Sequence, residues 1–250
     1  MPRQTGYSRW ITISGLLALI FILAICQSGC GNPTPTPKPK PKPKLSTAQQ
    51  ILRQAQDAIQ HVKSYHFTLS SDHLGPGTDN SIQINKVDGD VQMPDKLRAQ
   101  ATANAMGMTF TTQLIAVANQ QYYTNPLTGI WTKTNQLLDP RTLTNRRTGI
   151  AGILGHIKHP TRPTNGNVEN APCWLINGTL DARYLTVITL QPTQAKRTVH
   201  VTVCIGKSDH LPYQLRMQGI AIQGDTRQTV RTFLLSHFNE PLSITEPHVA

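Results

Sequence analysis

Cysteines are the residues of this 250-residue chain whose chemistry is most easily inferred from their surroundings. Cys26 and Cys30 close an apolar N-terminal run, whereas Cys173 and Cys204 lie far along the chain in segments that alternate apolar and polar residues. A thiol at the end of a secretion signal can be acylated, and two thiols in an exported domain can form a disulfide. The first pair therefore bears on membrane attachment and the second on stability.

The first 30 residues are arranged like a lipoprotein signal peptide. Two arginines precede "ITISGLLALIFILAI", a run of 15 uncharged residues that is short for a membrane span but typical of a signal peptide. A Ser-Gly pair follows, directly before Cys30, and this arrangement resembles a bacterial lipobox. We expect residues 1–29 to be removed and Cys30 to carry the lipid. Acylation at Cys26 and an uncleaved anchor helix are the alternatives.

Residues 30–44 contain the lipidated Cys30 and a linker with proline at alternate positions, "PTPTPKPKPKPK". Alternating proline favours polyproline II at about 3.1 Å per residue, so the linker can extend roughly 40 Å as a semi-rigid spacer. Its four lysines either attract anionic headgroups or keep the tract soluble. We expect a folded domain over residues 45–250 that stands away from the membrane.

The charge distribution argues against a nucleic-acid-binding protein. The formal net charge is +11, but the first 44 residues contain no acid, and the basic residues beyond them are interspersed with all 13 acids. The aromatic residues, 6% of the chain, form no stacking cluster. We therefore expect no nucleic acid among the partners.

The elements of the folded part predict an α+β domain. "LSTAQQILRQAQDAIQHV" has a Ser or Thr N-cap followed by apolar residues at helical spacing, which predicts an amphipathic first helix. Nine segments between Tyr65 and Phe238 then have strand composition and are separated by turn sequences such as "GPGTDN" and "NPLTG". Short helices are predicted at 150–157 and from Asp181. Short connections between successive strands indicate an antiparallel sheet with helices on one face.

One predicted strand has an unusual apolar face. Its outward positions are polar, and its apolar positions are occupied almost entirely by alanine: Leu97, Ala99, Ala101, Ala103 and Ala105. A sheet that packs tightly on helices normally has larger residues there. The small side chains leave volume for either a closely packed helix or a ligand.

No catalytic or metal-binding pattern is present in the sequence. There is no GxSxG, P-loop, HExxH or paired CxxC, and the nine histidines are dispersed. His156 and His159 lie three residues apart at a predicted helix end, where capping of the helix is the favoured role. We therefore predict no enzymatic activity, no cofactor and no metal.

The positions of Cys173 and Cys204 in their predicted strands favour a disulfide between them. In "TVHVTVCI" the valines face one side and Cys204 the other, and Cys173 lies opposite Trp174. Two cysteines on the same kind of face of neighbouring strands can be joined in an oxidising compartment. Two free buried thiols are the alternative.

The order and spacing of several segments together resemble the LppX/LprAFG family of bacterial lipoproteins over residues 46–248. These segments include "KSYHFTL", "MPDKLRAQATA", "GIAGILGHI", "CWLINGTLDARYL" and "LSHFNEPLSITEP". The resemblance implies a strongly curved antiparallel sheet, a half-barrel, with helices over its concave face enclosing an apolar cavity. The residues implied as cavity lining are Leu97, Ala99, Ala101, Ala103 and Ala105 of the strand and Ile150, Ile153, Leu154 and Ile157 of the helix.

The function implied by the resemblance is the binding of acylated lipids or glycolipids and their transfer across the cell envelope. The protein would be lipid-anchored to the outer face of the cell membrane, with a lipid transporter as a partner. A structural or sensor domain of the same fold that binds a protein is the alternative. It predicts a collapsed interior and no co-purifying lipid.

Overall fold

The computed structural model describes residues 45–76, 82–135, 142–143, 145, 147–189, 192–194 and 196–249. The predicted signal peptide, Cys30 and the proline linker lie outside the described residues. Within the described ranges, no helix is long and apolar enough to cross a membrane.

The first helix, α1, forms as its sequence predicts. It spans Thr47–Ile59, and the N-cap Ser46 and Gln49 form a capping box in which each side chain accepts a hydrogen bond from the other residue's backbone N–H. The apolar stripe of α1, which includes Ile51, Leu52 and Ala55, is buried. This helix therefore contributes one complete face to the core.

The remaining helices are short. Helix α2 spans Ile150–Gly155, and a 3₁₀ turn at Ala182–Leu185 leads directly into α3, Thr186–Thr189. The predicted helix at 150–157 is confirmed, although Ile157 lies beyond its last residue. His156 forms the C-cap of α2, and its Nδ1 lies 2.6 Å from the carbonyl oxygen of Gly152, which confirms the capping role.

The described strands form one antiparallel sheet of eleven strands. They are β1 Ser64–Asp72, β2 Gln83–Gln92, β3 Lys96–Ala105, β4 Met108–Val117, β5 Gln120–Thr124, β6 Trp131–Thr134, β7 Thr164–Val168, β8 Ala171–Asp181, β9 Thr198–Gly206, β10 Pro212–Gln218 and β11 Val230–Ser236. Their order is β6-β5-β4-β3-β2-β1-β11-β10-β9-β8-β7. Two meanders, β1–β6 and β7–β11, are therefore joined by the pairing of the first strand with the last.

All nine predicted strands are present, and the structure adds two. The additional strands, β6 and β7, have four and five residues and lie at the two edges of the sheet. The sequence of β7, "TNGNV", has no apolar alternation, so it takes its conformation from backbone pairing with β8. Sequence periodicity could not identify it.

The core lies on one face of the sheet. Register places Phe67 opposite Leu235 and Leu69 opposite Phe233, so these side chains share a face. They belong to a single buried cluster that also contains the apolar residues of α1, α2 and α3. The helices therefore pack against this face, which we call the inner face.

Candidate functional site

An apolar cavity of about 250 Å³ lies on the inner face of the sheet, beside α3. Strands β1–β4 and β11 form its wall, and Val187 and Ile188 of α3 lie against it. The lining residues are Phe67, Leu69, Ile82, Ile84, Val87, Leu97, Ala99, Ala101, Ala103, Phe110, Thr112, Leu114, Ile115, Ala116, Leu143, Val187, Ile188 and Phe233.

Small residues on β3 leave room for this cavity. Gly89 is paired with Ala99, and a Cβ added at Gly89 would lie 2.6 Å from the Cβ of Ala99. Ala99, Ala101 and Ala103 follow one another on the inner face of β3, each no more than 6% exposed. Because the alanine side chains extend only to Cβ, the space above β3 stays open.

A β-bulge keeps the apolar residues of β2 on the cavity side. Ile84 pairs with Ala103, whereas Lys86 pairs with Thr102, so Asn85 is an extra residue in the ladder. Ile84 and Val87 therefore both face the cavity, although they are three positions apart in the sequence. Strict alternation along "QINKVDG" would place one of them on the outer face.

The chemistry of the cavity favours an apolar ligand. Among the described residues that line it, Thr112 has the one polar side chain, and its hydroxyl donates a hydrogen bond of 2.7 Å to the carbonyl of Thr124. The cavity reaches the surface at Ile82, whose side chain is 53% exposed. An acyl chain could enter there along an apolar side chain.

A polar recess of about 20 Å³ adjoins the cavity and shares Leu69, Ile82 and Ile84 with it. The side chains of Arg231 and Asp225 are buried there as a bidentate ion pair with N–O distances of 2.8 and 2.7 Å. Asp225 also accepts hydrogen bonds from two backbone N–H groups in the loop before β11. The pair therefore fastens this loop to the sheet beside the cavity.

Four of the nine residues predicted to line the cavity do so: Leu97, Ala99, Ala101 and Ala103. Ala105 is half-buried at the end of β3 and is outside the described lining. Ile150, Ile153, Leu154 and Ile157 are buried in the main core and are also outside it. Helix α2, which contains the first three of these residues, packs against α1 instead, so closely that a Cβ added at Gly155 would lie 2.7 Å from the amide oxygen of Gln56.

Several lining residues were missed by the sequence prediction, although the signal was present. Phe67 and Leu69 alternate on β1, and Phe110 and Leu114 alternate on β4. Val187 and Ile188 belong to the predicted helical segment that begins near Asp181. Alternation of apolar residues identifies the apolar faces of β1 and β4. Only the pairing of the strands shows that these faces surround one cavity.

Cys173 and Cys204 form a disulfide between β8 and β9, with their Cα atoms 5.5 Å apart. Both residues are fully buried. The disulfide joins strands at the opposite end of the strand order from the cavity wall of β2–β4. Its contribution is to the stability of the sheet rather than to the cavity.

The outer face carries a charged cluster around Asp90. This carboxylate accepts hydrogen bonds from Arg98, at 2.7 Å, and from His66, at 2.9 Å, if that histidine nitrogen carries the proton. Partial burial raises the pKa of Asp90, but the hydrogen bonds and charges of Arg98 and His66 outweigh it, so the net pKa is lowered. Within the described ranges, no group of His, Cys, Asp and Glu is arranged to hold a metal ion.

Comparison with known proteins supports the family resemblance. The model of the LppX_LprAFG lipoprotein family matches residues 47–244. Relatives from Mycobacterium bovis and Mycobacterium tuberculosis, named "Putative diacylated glycolipid transporter LprF", are 23% identical over 241 residues, which cover 93% of this chain and 90% of theirs.

Two crystal structures have a similar fold. LprF from Mycobacterium bovis matches with a TM-score of 0.64 at 19% identity, over 80% of this chain and 96% of that one. LppX from Mycobacterium tuberculosis matches with a TM-score of 0.56 at 16% identity, over 79% of this chain and 98% of that one. The family match covers most of the folded domain, and the chain therefore belongs to the LppX_LprAFG lipoprotein family.

Proposed function

We propose that this protein is a membrane-anchored lipoprotein that binds the acyl part of a lipid or glycolipid in its cavity and assists transfer of that lipid across the cell envelope. The observation that carries the proposal is the open apolar cavity on β1–β4. Membership of a lipoprotein family and relatives named as glycolipid transporters support it. A protein-binding domain with a collapsed interior would not need this space.

The size of the cavity sets the expected affinity. At roughly 30 Å³ for each water-sized group, 250 Å³ accommodates about eight methylenes. Each buried methylene contributes about 0.8 kcal/mol, which gives about 6 kcal/mol before the entropic cost of binding. Without that cost, 6 kcal/mol corresponds to a dissociation constant between about 1 mM and 1 μM, which is therefore an upper limit on the affinity that the cavity alone supplies. A longer chain would fill the cavity and continue past Ile82 towards the surface.

The proposal includes the parts of the chain that precede the described domain. Residues 1–29 act as a lipoprotein signal peptide, Cys30 carries the anchor, and residues 30–44 hold the domain of residues 45–250 at the outer face of the membrane. The sheet curves around the cavity as a half-barrel, and a membrane lipid transporter delivers or receives the ligand. Leu97, Ala99, Ala101 and Ala103 form the wall that contacts the acyl chain.

Mass spectrometry of extracted lipid tests this function. The full chain is purified in mild detergent, its lipids are extracted, and native mass spectra are recorded before and after extraction. We expect an acylated lipid bound in a near one-to-one ratio and its replacement by an added fluorescent dipalmitoyl lipid. A protein that carries no lipid and does not take up the fluorescent lipid would contradict the proposal.

A further inference from the structure

Exposed apolar side chains are concentrated at one end of the sheet. Among the described residues, seven large hydrophobic side chains are exposed, and two of these, Leu45 and Val249, lie at the ends of the described chain. The other five are Ile82, Met106, Met108, Leu127 and Ile130, which we call the apolar edge. Their exposed fractions reach 76% at Met106 and 91% at Leu127.

Strand register brings these five residues to the same end. Gln83 pairs with Asn104, so Ile82 lies beside the β3–β4 turn that contains Met106. Strand β5 runs antiparallel to β4, and its last residue, Thr124, pairs with Trp131 of β6. The β5–β6 turn, which contains Leu127 and Ile130, therefore points to the same side as the β3–β4 turn.

The apolar edge is continuous with the cavity. Ile82 belongs to both, because it lines the cavity and is 53% exposed. Phe110 lines the cavity, and Met108 lies two residues before it on the same face of β4. Neither turn carries a charged residue, since they read "AMGMT" and "NPLTGI". Apolar side chains therefore lead from the β3–β4 turn into the cavity.

We propose that the apolar edge docks on the surface of a lipid bilayer, so that an acyl chain passes between the bilayer and the cavity without crossing water. This inference rests on the proposed function, because the ligand that the cavity accommodates resides in a bilayer. Apolar side chains on exposed turns insert into the region between headgroups and acyl chains. Trp131 directly follows Ile130, and tryptophan is enriched at that interface.

The anchor permits this orientation. The longest strands of the cavity wall have ten residues, or about 34 Å at 3.4 Å per residue. A linker of this composition can extend to roughly 40 Å, which would allow a domain tethered through Cys30 to place either end of its sheet on the membrane. The bilayer that holds the anchor is therefore within reach of the apolar edge.

Fluorescence quenching by lipid tests the docking. The full chain, with Cys26→Ser, is reconstituted through its own anchor into vesicles of phosphatidylcholine and phosphatidylglycerol with brominated acyl chains. Bimane is attached to Met106→Cys, to Leu127→Cys or to the control Ala118→Cys, which lies in the exposed β4–β5 turn at the opposite end. The parent without an introduced cysteine supplies the background. We expect bromine to quench positions 106 and 127 by about twofold or more relative to 118.

A second measurement separates this inference from the proposed function. The variant Met106→Asp/Leu127→Asp should take up a fluorescent dipalmitoyl lipid from vesicles about tenfold more slowly than wild type, because aspartate is unfavourable in the membrane. The amount bound at equilibrium should not change, since neither residue lines the cavity. Ala118→Asp/Asn119→Asp is the matched control and should take up lipid at the wild-type rate.

Each outcome has a definite meaning. Equal quenching at positions 106 and 118 overturns the docking proposal, even if the cavity binds lipid. Stronger quenching at 106 in a chain that takes up no lipid supports docking and contradicts the proposed function. Shielding of position 106 from aqueous iodide in the absence of vesicles, increasing with protein concentration, would make the edge a contact between copies of this chain and would also overturn the proposal.

Discussion

Replacement of Ala101 by tryptophan distinguishes a preformed ligand cavity from a close-packed core. Ala101 lies at the middle of β3, is 6% exposed and lines the cavity between Ala99 and Ala103. Its Cβ faces the open space, so the indole of Ala101→Trp would occupy volume that a ligand would otherwise fill. The two interpretations then give changes of opposite sign in the free energy of unfolding.

The cavity volume determines how much Ala101→Trp should change the free energy of unfolding. Empty apolar volume costs about 24 cal/mol per Å³, so 250 Å³ corresponds to about 6 kcal/mol relative to a filled core. An indole that fills between a quarter and a half of it should raise the free energy of unfolding of the ligand-free chain by about 1 to 3 kcal/mol. In a close-packed core, the same substitution would lower that free energy by about 1 to 3 kcal/mol.

Lipid affinity should change in the opposite direction. If the indole displaces about four of the eight methylenes, the loss is about 3 kcal/mol at 0.8 kcal/mol each. Because 1.4 kcal/mol is a factor of ten, this weakens binding roughly a hundredfold. A variant that is more stable and binds less lipid is therefore the expected result.

Thermal and denaturant unfolding measure the free energy of unfolding of each variant, and titration with a fluorescent dipalmitoyl lipid measures its lipid affinity. Thr102→Trp places the same ring on the outer face of β3 and should leave both near the wild-type values. Ala55→Trp places it in α1 at a fully buried position outside the cavity lining and should lower the free energy of unfolding. Full lipid binding by a well-folded Ala101→Trp variant would refute the site, and a loss of stability like that of Ala55→Trp would favour a packed core.

The anchor, the disulfide and the charged cluster each give a separate prediction. Cys30→Ala should release the protein from membranes or leave its precursor unprocessed, and unchanged acyl labelling by mass spectrometry would contradict this site. Reduction of Cys173–Cys204, which are 31 residues apart, should lower the free energy of unfolding by about 2 to 4 kcal/mol; complete alkylation of both thiols without reductant would refute the bond. Because the pKa of Asp90 is lowered, its carboxylate stabilises the folded chain above the ordinary value of 3.8, and this stabilisation is lost as the pH falls through the folded-state pKa. Asp90→Asn should therefore lower the free energy of unfolding by up to about 1 kcal/mol at neutral pH and leave it unchanged in acid. An equal decrease at both pH values would contradict this role of the carboxylate.

The sequence predicts strands well where one face is apolar, because the two-residue period of a strand is directly visible. It predicts the limits of β3 and the small residues of its inner face from "KLRAQATANA" alone. Alternation does not show which residues of β2 face the core. Its apolar residues change from even positions, such as Ile84, to odd positions, such as Val87. The bulge at Asn85 resolves this change, but it exists only in the pairing with β3.

The helix partners could not be predicted for a related reason. The pattern at 150–157 identifies the apolar side of α2 but not the surface that this side contacts. In the structure it packs with α1 in the main core, whereas the cavity is bordered by α3. Helix α3 has only four residues, so its sequence gave a weaker signal than that of α2. Which of the two helices borders the cavity depends on contacts between segments that are distant in sequence.

Stability and the proposed binding depend on different parts of the sheet. In β8–β11, residues such as Ile176, Val203 and Leu215 are fully buried in the cluster that includes the helices, and a disulfide joins β8 to β9. In β3, by contrast, Ala99, Ala101 and Ala103 line the cavity and do not fill it. Its cost of about 6 kcal/mol is comparable with the net stability of a typical domain, about 5 to 15 kcal/mol. The close packing and the disulfide of one meander therefore offset the empty volume of the other, so that the cavity can exist before a ligand enters it.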